Sequence, residues 1–323
     1  MNLFLETIFH NFTSPAFLCF GIGLLAAFLR SDLEIPEILG KSLALYLMLA
    51  IGLKGGVSLS EVGLNFYVVA PLLGAIFLSF SLPFLAYNCL RITTHLDRTN
   101  RAAIGAHYGS VSLVTFAAAT DLLETSSIPY EGIMTAMLAL METPALISGL
   151  WLSGKKGKST SSKQHFWRDV LVNGSLVLLM GGFMIGLING TKGIQPIAPF
   201  FMDGFKGALC LFLLDMGLLV ARRLQTSPKL DIQVIFFGFY MPFLGALLGG
   251  TLGYFIGFSV GGVFLLMVLG ASASYIAVPA AIRLAIPSAN PAYYITLSLG
   301  ITFPFNITLG IPVYFYIAER LFS

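Results

Sequence analysis

The sequence predicts an all-α polytopic membrane protein with ten transmembrane helices. They form a 5+5 inverted repeat in which spans four and nine are broken. Three observations predict this. First, the 323 residues are 57% apolar and only 10% charged, against about 25% charged in soluble domains, and apolar runs of membrane-spanning length recur along the whole chain. Second, one polar, basic, Ser-rich stretch, Gly154-Lys-Lys-Gly-Lys-Ser-Thr-Ser-Ser-Lys163, divides the chain near its midpoint. Third, two apolar runs are interrupted by small and hydroxyl-bearing residues, at Gly105-Ala-His-Tyr-Gly-Ser-Val-Ser-Leu-Val-Thr115 and at Gly270-Ala-Ser-Ala-Ser-Tyr-Ile-Ala-Val-Pro279. A helix broken at membrane depth frees backbone N–H and C=O groups, which is tolerated where they line a cavity or face protein. Such breaks in matching halves of a chain point to a transporter's binding site.

Taken in order, the spans fall near 15–30, 40–57, 68–90, 101–120, 130–153, 167–189, 204–221, 234–257, 261–284 and 293–318. Pro15, Pro36, Pro129, Pro196 and Pro291 stand at or before span starts, where a missing N–H costs little. The first repeat is then 1–153, the cytoplasmic linker 154–166 and the second repeat 167–323. With the N-terminus outside, 14 of the 18 Lys and Arg fall in inside loops, and only Lys54, Lys192, Lys206 and Arg320 fall outside. The positive-inside rule therefore places both termini outside and the linker in the cytoplasm. An odd number of spans per half inverts the second half relative to the first. Gly109 to Pro144 covers 35 residues and Gly270 to Pro304 covers 34, and both third spans, Ala70–Ala86 and Pro242–Gly257, are glycine-rich.

Facing half-helices would bring two positively polarised N-termini toward one point, which suits a small anion. The hydroxyls of Ser110, Ser112, Thr115, Ser272 and Ser274 can add donors, and their oxygens, with freed carbonyls, can hold Na⁺. The alternative is that Ser and Gly simply permit close helix packing. Glu142, just before Pro144, is an intramembrane carboxylate and so a candidate cation ligand or proton carrier, or else a hydrogen-bonded structural group. Asp215 suits either coupling or packing, and His107 either proton transfer or a satisfied core role. Thr302 and Asn306 flank Pro304 and can serve the same cavity. Lys54 can snorkel to the interface. Asp121, Glu124 and Glu131 fall in an outer loop, as a cation-attracting entrance or an ordinary solvated one. Cys19, Cys89 and Cys210 lie far apart in apolar runs and are expected to fill the core. The chain carries no Walker A motif, no hydrolase motif and no Arg-rich span. This argues against an enzyme, and nucleic-acid binding has no support.

From Gly270 to Pro291 the sequence resembles the sodium-dependent bicarbonate permease family known from cyanobacterial carbon concentration. The stretch Arg283-Leu-Ala-Ile-Pro-Ser-Ala-Asn-Pro291 carries the most specific part of the likeness. Gly109-Ser-Val-Ser-Leu-Val-Thr-Phe-Ala-Ala-Ala119, Ile128-Pro-Tyr-Glu131, Glu142-Thr-Pro-Ala-Leu146 and Ile51-Gly-Leu-Lys-Gly-Gly56 add to it over nearly the whole chain. The resemblance implies a homotrimer in a bacterial inner membrane, with elevator-like movement of one domain against a scaffold. It implies no cofactor beyond Na⁺ as coupling ion, and a PII-like regulator on the cytoplasmic face. It also implies that bicarbonate and Na⁺ sit between the broken spans, which maps substrate binding onto Gly109, Ser110, Ser112, Thr115, Ala271, Ser272, Ser274 and Tyr275. Ion coupling is expected of Ser112, Thr115, Ser274, Glu142 and Asn306. The bicarbonate carriers have an Asp where this chain has Tyr275, and their linker is longer. The expectation is Na⁺-coupled bicarbonate uptake. The alternatives are a carrier of another small anion, such as a carboxylate, coupled to Na⁺ or H⁺, or a membrane sensor or scaffold that transports nothing.

Overall fold

A computed structural model describes residues 13–62, 68–154, 174–226 and 230–322. The linker after Gly154 lies outside the described residues, and with it Lys155, Lys156, Lys158, Lys163, Arg168 and, further on, Lys229 of the orientation count. Every regular element described is helical. In chain order they are α1 (Pro15–Phe28), α2 (Glu37–Val62), α3 (Val69–Thr93), α4 (Arg98–Gly109), α5 (Leu113–Thr125), α6 (Met134–Leu140), α7 (Glu142–Ser153) and α8 (Gly174–Ile194). There follow α9 (Phe205–Thr226), α10 (Ile232–Ile256), α11 (Val260–Ala271), α12 (Ala277–Ala285) and α13 (Pro291–Leu321). The last contains two π-helical stretches, Thr296–Thr302 and Asn306–Gly310.

Among the described residues, eight helical stretches are long and apolar enough to cross a membrane: Glu37–Glu61, Val69–Thr93, Arg98–Thr125, Met134–Ser153, Val177–Ile197, Pro199–Gln225, Ile232–Ile256 and Pro291–Leu321. Two shorter apolar helices, Pro15–Phe28 and Val260–Ala271, coincide with the first predicted span and the front of the ninth. Large side chains such as Phe77, Ile92, Trp151, Ile188, Phe236 and Phe255 are exposed on the outer surface, which suits hydrocarbon rather than water. The protein is an integral membrane protein. The helix expected at 167–189 is interrupted next to its expected end, at Gly190, whose φ of 59° and ψ of −170° are not helical.

Helix starts follow local chemistry. Pro15 and Pro291 take the first helical positions of α1 and α13, behind Ser14 and Asn290, whose side chains accept from Phe17 N at 3.2 Å and Ala292 N at 3.0 Å. Asp97 caps α4 through Asn100 N at 3.0 Å, and Ser259 caps α11 through Gly262 N at 3.3 Å. Each such cap satisfies an N–H that the helix itself leaves unpaired. Helix α10 stops at Gly257, whose φ of 83° is left-handed and costs glycine nothing.

The helices form two groups. In the flanking bundle, α2 packs along α8 and α1 along α9. Backbones approach there through glycines: a Cβ at Gly52 or Gly56 would strike the carbonyl of Leu179 or Phe183, and one at Gly182 or Gly186 that of Leu49 or Leu53. Between α1 and α9 the same holds for Gly23 against Leu214 and Gly217 against Phe20. Residue numbers rise together along α2 and α8, and Gln225 Nε2 donates to the Ala27 carbonyl further along α1 and α9, so each pair runs parallel. The central bundle holds α3 with α4 and α7, and α10 with α11 and α13, and α3 meets α10 directly.

The three acidic residues expected in an outer loop have specific partners instead. Asp121 pairs with Lys206 at 3.0 Å and Glu124 with Lys54 at 3.0 Å. Glu131 accepts from Ser259 N at 2.7 Å and from Ser259 Oγ at 3.2 Å. Gly262 makes this possible, since a Cβ there would collide with the Glu131 carboxylate. Glu131→Ala is therefore expected to destabilise the protein by about 2 kcal/mol, the cost of a charge-assisted cap, read as a lower unfolding temperature in detergent.

Candidate functional site

Both expected breaks are present. Between α4 and α5 the chain is extended at Ser110 (φ −89°, ψ 171°) and Ser112 (φ −105°, ψ 111°). Between α11 and α12 it is extended at Ser272 (φ −83°, ψ 164°). The two breaks bond to one another. Ser112 N donates to Ser272 Oγ at 3.0 Å, and Ser274 N donates to the His107 carbonyl at 2.9 Å. Backbone groups freed by one interruption are thus partly satisfied by the other, which is how two broken helices can exist side by side in a buried place.

Neighbouring helices hold the breaks in position. Gly105 and Gly109 let α4 lie against Pro83 of α3, where a Cβ would meet the proline ring or its carbonyl. Gly270 and Gly245 do the same for α11 and α10, each occupying the space in front of the other's carbonyl. Pro242 cannot donate to the carbonyl of Gly238. Thr302 Oγ1 donates to that carbonyl instead at 2.8 Å, and so accepts from the Tyr108 hydroxyl at 2.6 Å. Asn306 is fully buried. Its amide donates to the Ala271 carbonyl at 2.9 Å, and its oxygen accepts from the Tyr314 hydroxyl at 3.0 Å.

A small cavity of about 10 Å³ lies where the breaks meet α2 and α7, lined by Met48, Val111, Ser112, Leu113, Glu142, Ser274, Tyr275 and Ile276. Ser112 caps α5 and Ile276 stands at the cap position of α12, so the positive ends of both half-helices open on it. Glu142 begins α7 and brings a carboxylate to the same place. Position 275 supplies no carboxylate, but the cavity has one from another span. The Tyr275 hydroxyl is turned toward Ser112 without completing a hydrogen bond, and its ring packs 5.0 Å from that of Phe303.

Of the residues expected to bind or couple, Ser112, Ser274, Tyr275 and Glu142 share this cavity. Gly109, Ser110, Thr115, Ala271, Ser272 and Asn306 are buried behind it. Thr115 donates from both N and Oγ1 to Ser112 Oγ, at 3.3 and 2.9 Å. Ser272 Oγ donates to the Leu269 carbonyl at 2.9 Å. The Ser110 hydroxyl is buried without a partner among the described residues. His107 pairs its Nδ1 with the Ala103 carbonyl at 2.7 Å and stacks on Tyr294. Asp215 lies elsewhere, in the flanking bundle, against Gly40 of α2. Lys54 pairs with Glu124 and also covers the Phe205 ring at 4.2 Å. Met48 carries no signal in the sequence, since an apolar residue in an apolar helix is the commonest pattern in the chain. Among the described residues, no group of three or more His, Cys, Asp or Glu is placed to hold a metal ion.

No match is found among curated proteins. The family model for the Na⁺-dependent bicarbonate transporter superfamily matches residues 15–319. That range takes in both breaks, Glu142 and every helix that surrounds them, and the chain belongs to that superfamily.

Proposed function

We propose that the protein is a secondary active transporter that couples bicarbonate uptake to the inward Na⁺ gradient. The observation that carries this reading is the convergence of two half-helix N-termini, two serines and one carboxylate on a single cavity between the bundles. N–H groups and hydroxyls at the helix starts suit a carboxylate-like anion. Glu142, serine oxygens and freed carbonyls suit Na⁺, a hard cation that takes oxygen ligands. Placed together, the two ions offset one another's charge, so neither need enter an uncompensated apolar site.

The packing supports a 5+5 inverted repeat. Exchanging the first span for the sixth, the second for the seventh, and so on to the fifth and tenth, leaves the main contacts unchanged. The α1–α9 pair maps onto α8–α2, the α3–α4 pair onto α10–α11, and α4–α7 onto α11–α13. The glycine seams map with them. An elevator-like cycle, in which the central bundle carries the cavity past the flanking one, is consistent with a site that includes Met48 of α2. Outward termini, a homotrimer in a bacterial inner membrane and a PII-like cytoplasmic regulator complete the proposal.

The test is radiolabelled bicarbonate uptake into proteoliposomes with and without an inward Na⁺ gradient, with pH and carbonic-anhydrase inhibition used to separate CO₂ entry. Accumulation that requires the gradient is the expected result. Accumulation driven by a proton gradient alone would instead assign Glu142 to proton coupling. Saturable binding without flux would favour a sensor.

A further inference from the structure

The cavity has room for about one water, so a planar anion with a carbon and three oxygens enters only if the bundles part around it. Two ion pairs tie those bundles together, and both end on α5, which packs on α11 of the central bundle. Lys54 of α2 reaches Glu124 with Nζ 3.0 and 3.4 Å from its two carboxylate oxygens. Lys206 of α9 reaches Asp121 at 3.0 Å and donates to Thr125 Oγ1 at 3.2 Å. The other two ion pairs among the described residues, Lys41–Glu37 and Arg222–Glu34, both lie within the flanking side of the molecule.

Asp121 and Glu124 stand in the last turns of α5, where the helix dipole disfavours negative charge. Helix stability therefore does not account for them, whereas a cationic partner across the bundle boundary does. The side chains of Lys54 and Glu124 are 21% and 30% exposed, so that pair is shielded from water more than an ordinary surface pair, whereas in the second pair Asp121 is 15% and Lys206 50% exposed. Helix α5 runs unbroken from its cap at Ser112 to Thr125, and whatever holds its last turn also holds Ser112 at the cavity.

We infer that Lys54 and Lys206 are positioning residues. With Glu124 and Asp121 they form a two-point electrostatic latch that holds α5 against the flanking bundle and is released when the cavity opens. The latch rests on the transport reading only for its purpose; its existence is a matter of bundle geometry.

The experiment measures distances by electron spin resonance between labels on the two bundles, at Leu45→Cys and Phe77→Cys, both exposed, with Cys19, Cys89 and Cys210 replaced by serine. Lys54→Gln with Lys206→Gln is expected to enlarge a second distance population about tenfold, each pair contributing about three- to fivefold. Glu124→Gln with Asp121→Asn should do the same from the other side, and reversing one pair, Lys54→Glu with Glu124→Lys, should return most of the original distribution. An unchanged distribution in both neutralised variants, or no recovery on reversal, overturns the latch even if the wild-type protein transports bicarbonate. A shifted distribution in a protein that shows no uptake would keep the latch and remove the transport reading.

Discussion

Glu142→Gln is expected to lower Na⁺-driven bicarbonate uptake by roughly ten- to a hundredfold. Glu142 is the one carboxylate lining the cavity at which the two half-helix N-termini meet. Interactions of a buried charge with hydrogen-bonding partners are worth about 1.5–3 kcal/mol, which converts to that range of affinity. The glutamine keeps the shape and an oxygen ligand but removes the negative charge, so the loss should fall on the ion. The concentration of Na⁺ giving half-maximal uptake should rise, while folding, followed by the unfolding temperature, should change little. Glu142→Asp, which retains the charge on a shorter stem, should recover part of the activity. Full uptake with unchanged Na⁺ dependence in Glu142→Gln would remove the carboxylate from the mechanism.

Gly270→Ala is expected to destabilise the protein by about 1–3 kcal/mol or more and to abolish uptake. Gly270 and Gly245 face one another across α11 and α10, with each site for a Cβ occupied by the other's carbonyl. The neighbour that must give way is backbone, which cannot rotate aside, so α11 would be displaced and with it the break at Ser272 and its bond to Ser112 N. Gly21 and Gly207 provide the control, because a Cβ at either meets nothing within 4 Å. There the change to alanine should be neutral or stabilising by up to about 1 kcal/mol, since helical glycine loses more backbone entropy than alanine. Unfolding temperatures of the purified variants in detergent decide the contrast. Equal effects at Gly270 and Gly207 would show that the α10–α11 seam is not as tight as the geometry indicates.

The breaks were legible in the sequence because they depend on local chemistry. Gly109-Ser110 and Gly270-Ala-Ser272 are poor helix continuations wherever they occur, and Ser112 is a good cap for the helix that resumes after it. Helix boundaries near Pro15, Pro36 and Pro291 were legible for the same reason. The acids of α5 were not. Asp121, Glu124 and Glu131 have the composition of an exposed loop, and their partners Lys206, Lys54 and Ser259 are 70 or more residues away along the chain. Local pattern carries no information about pairings at that range. Thr302 and Asn306 were legible as polar residues near the site, but not as the groups that bind the carbonyls of Gly238 and Ala271. That role follows from which carbonyl Pro242 and the break leave free.

The sequence by itself determined that the chain lives in a membrane, where its helices break, and which superfamily it belongs to. Each of these rests on composition, spacing or motif, which are properties of neighbouring residues. The tertiary structure alone decided that Ser112, Ser274, Tyr275 and Glu142 share one cavity with Met48 while Thr115 and Ser272 stand behind it as supports. In a chain this uniformly apolar, hydrophobic periodicity does not say which face of a helix meets which neighbour. That choice was made by the shape of the glycine seams and by the need to satisfy each buried backbone group that a break or a proline had freed.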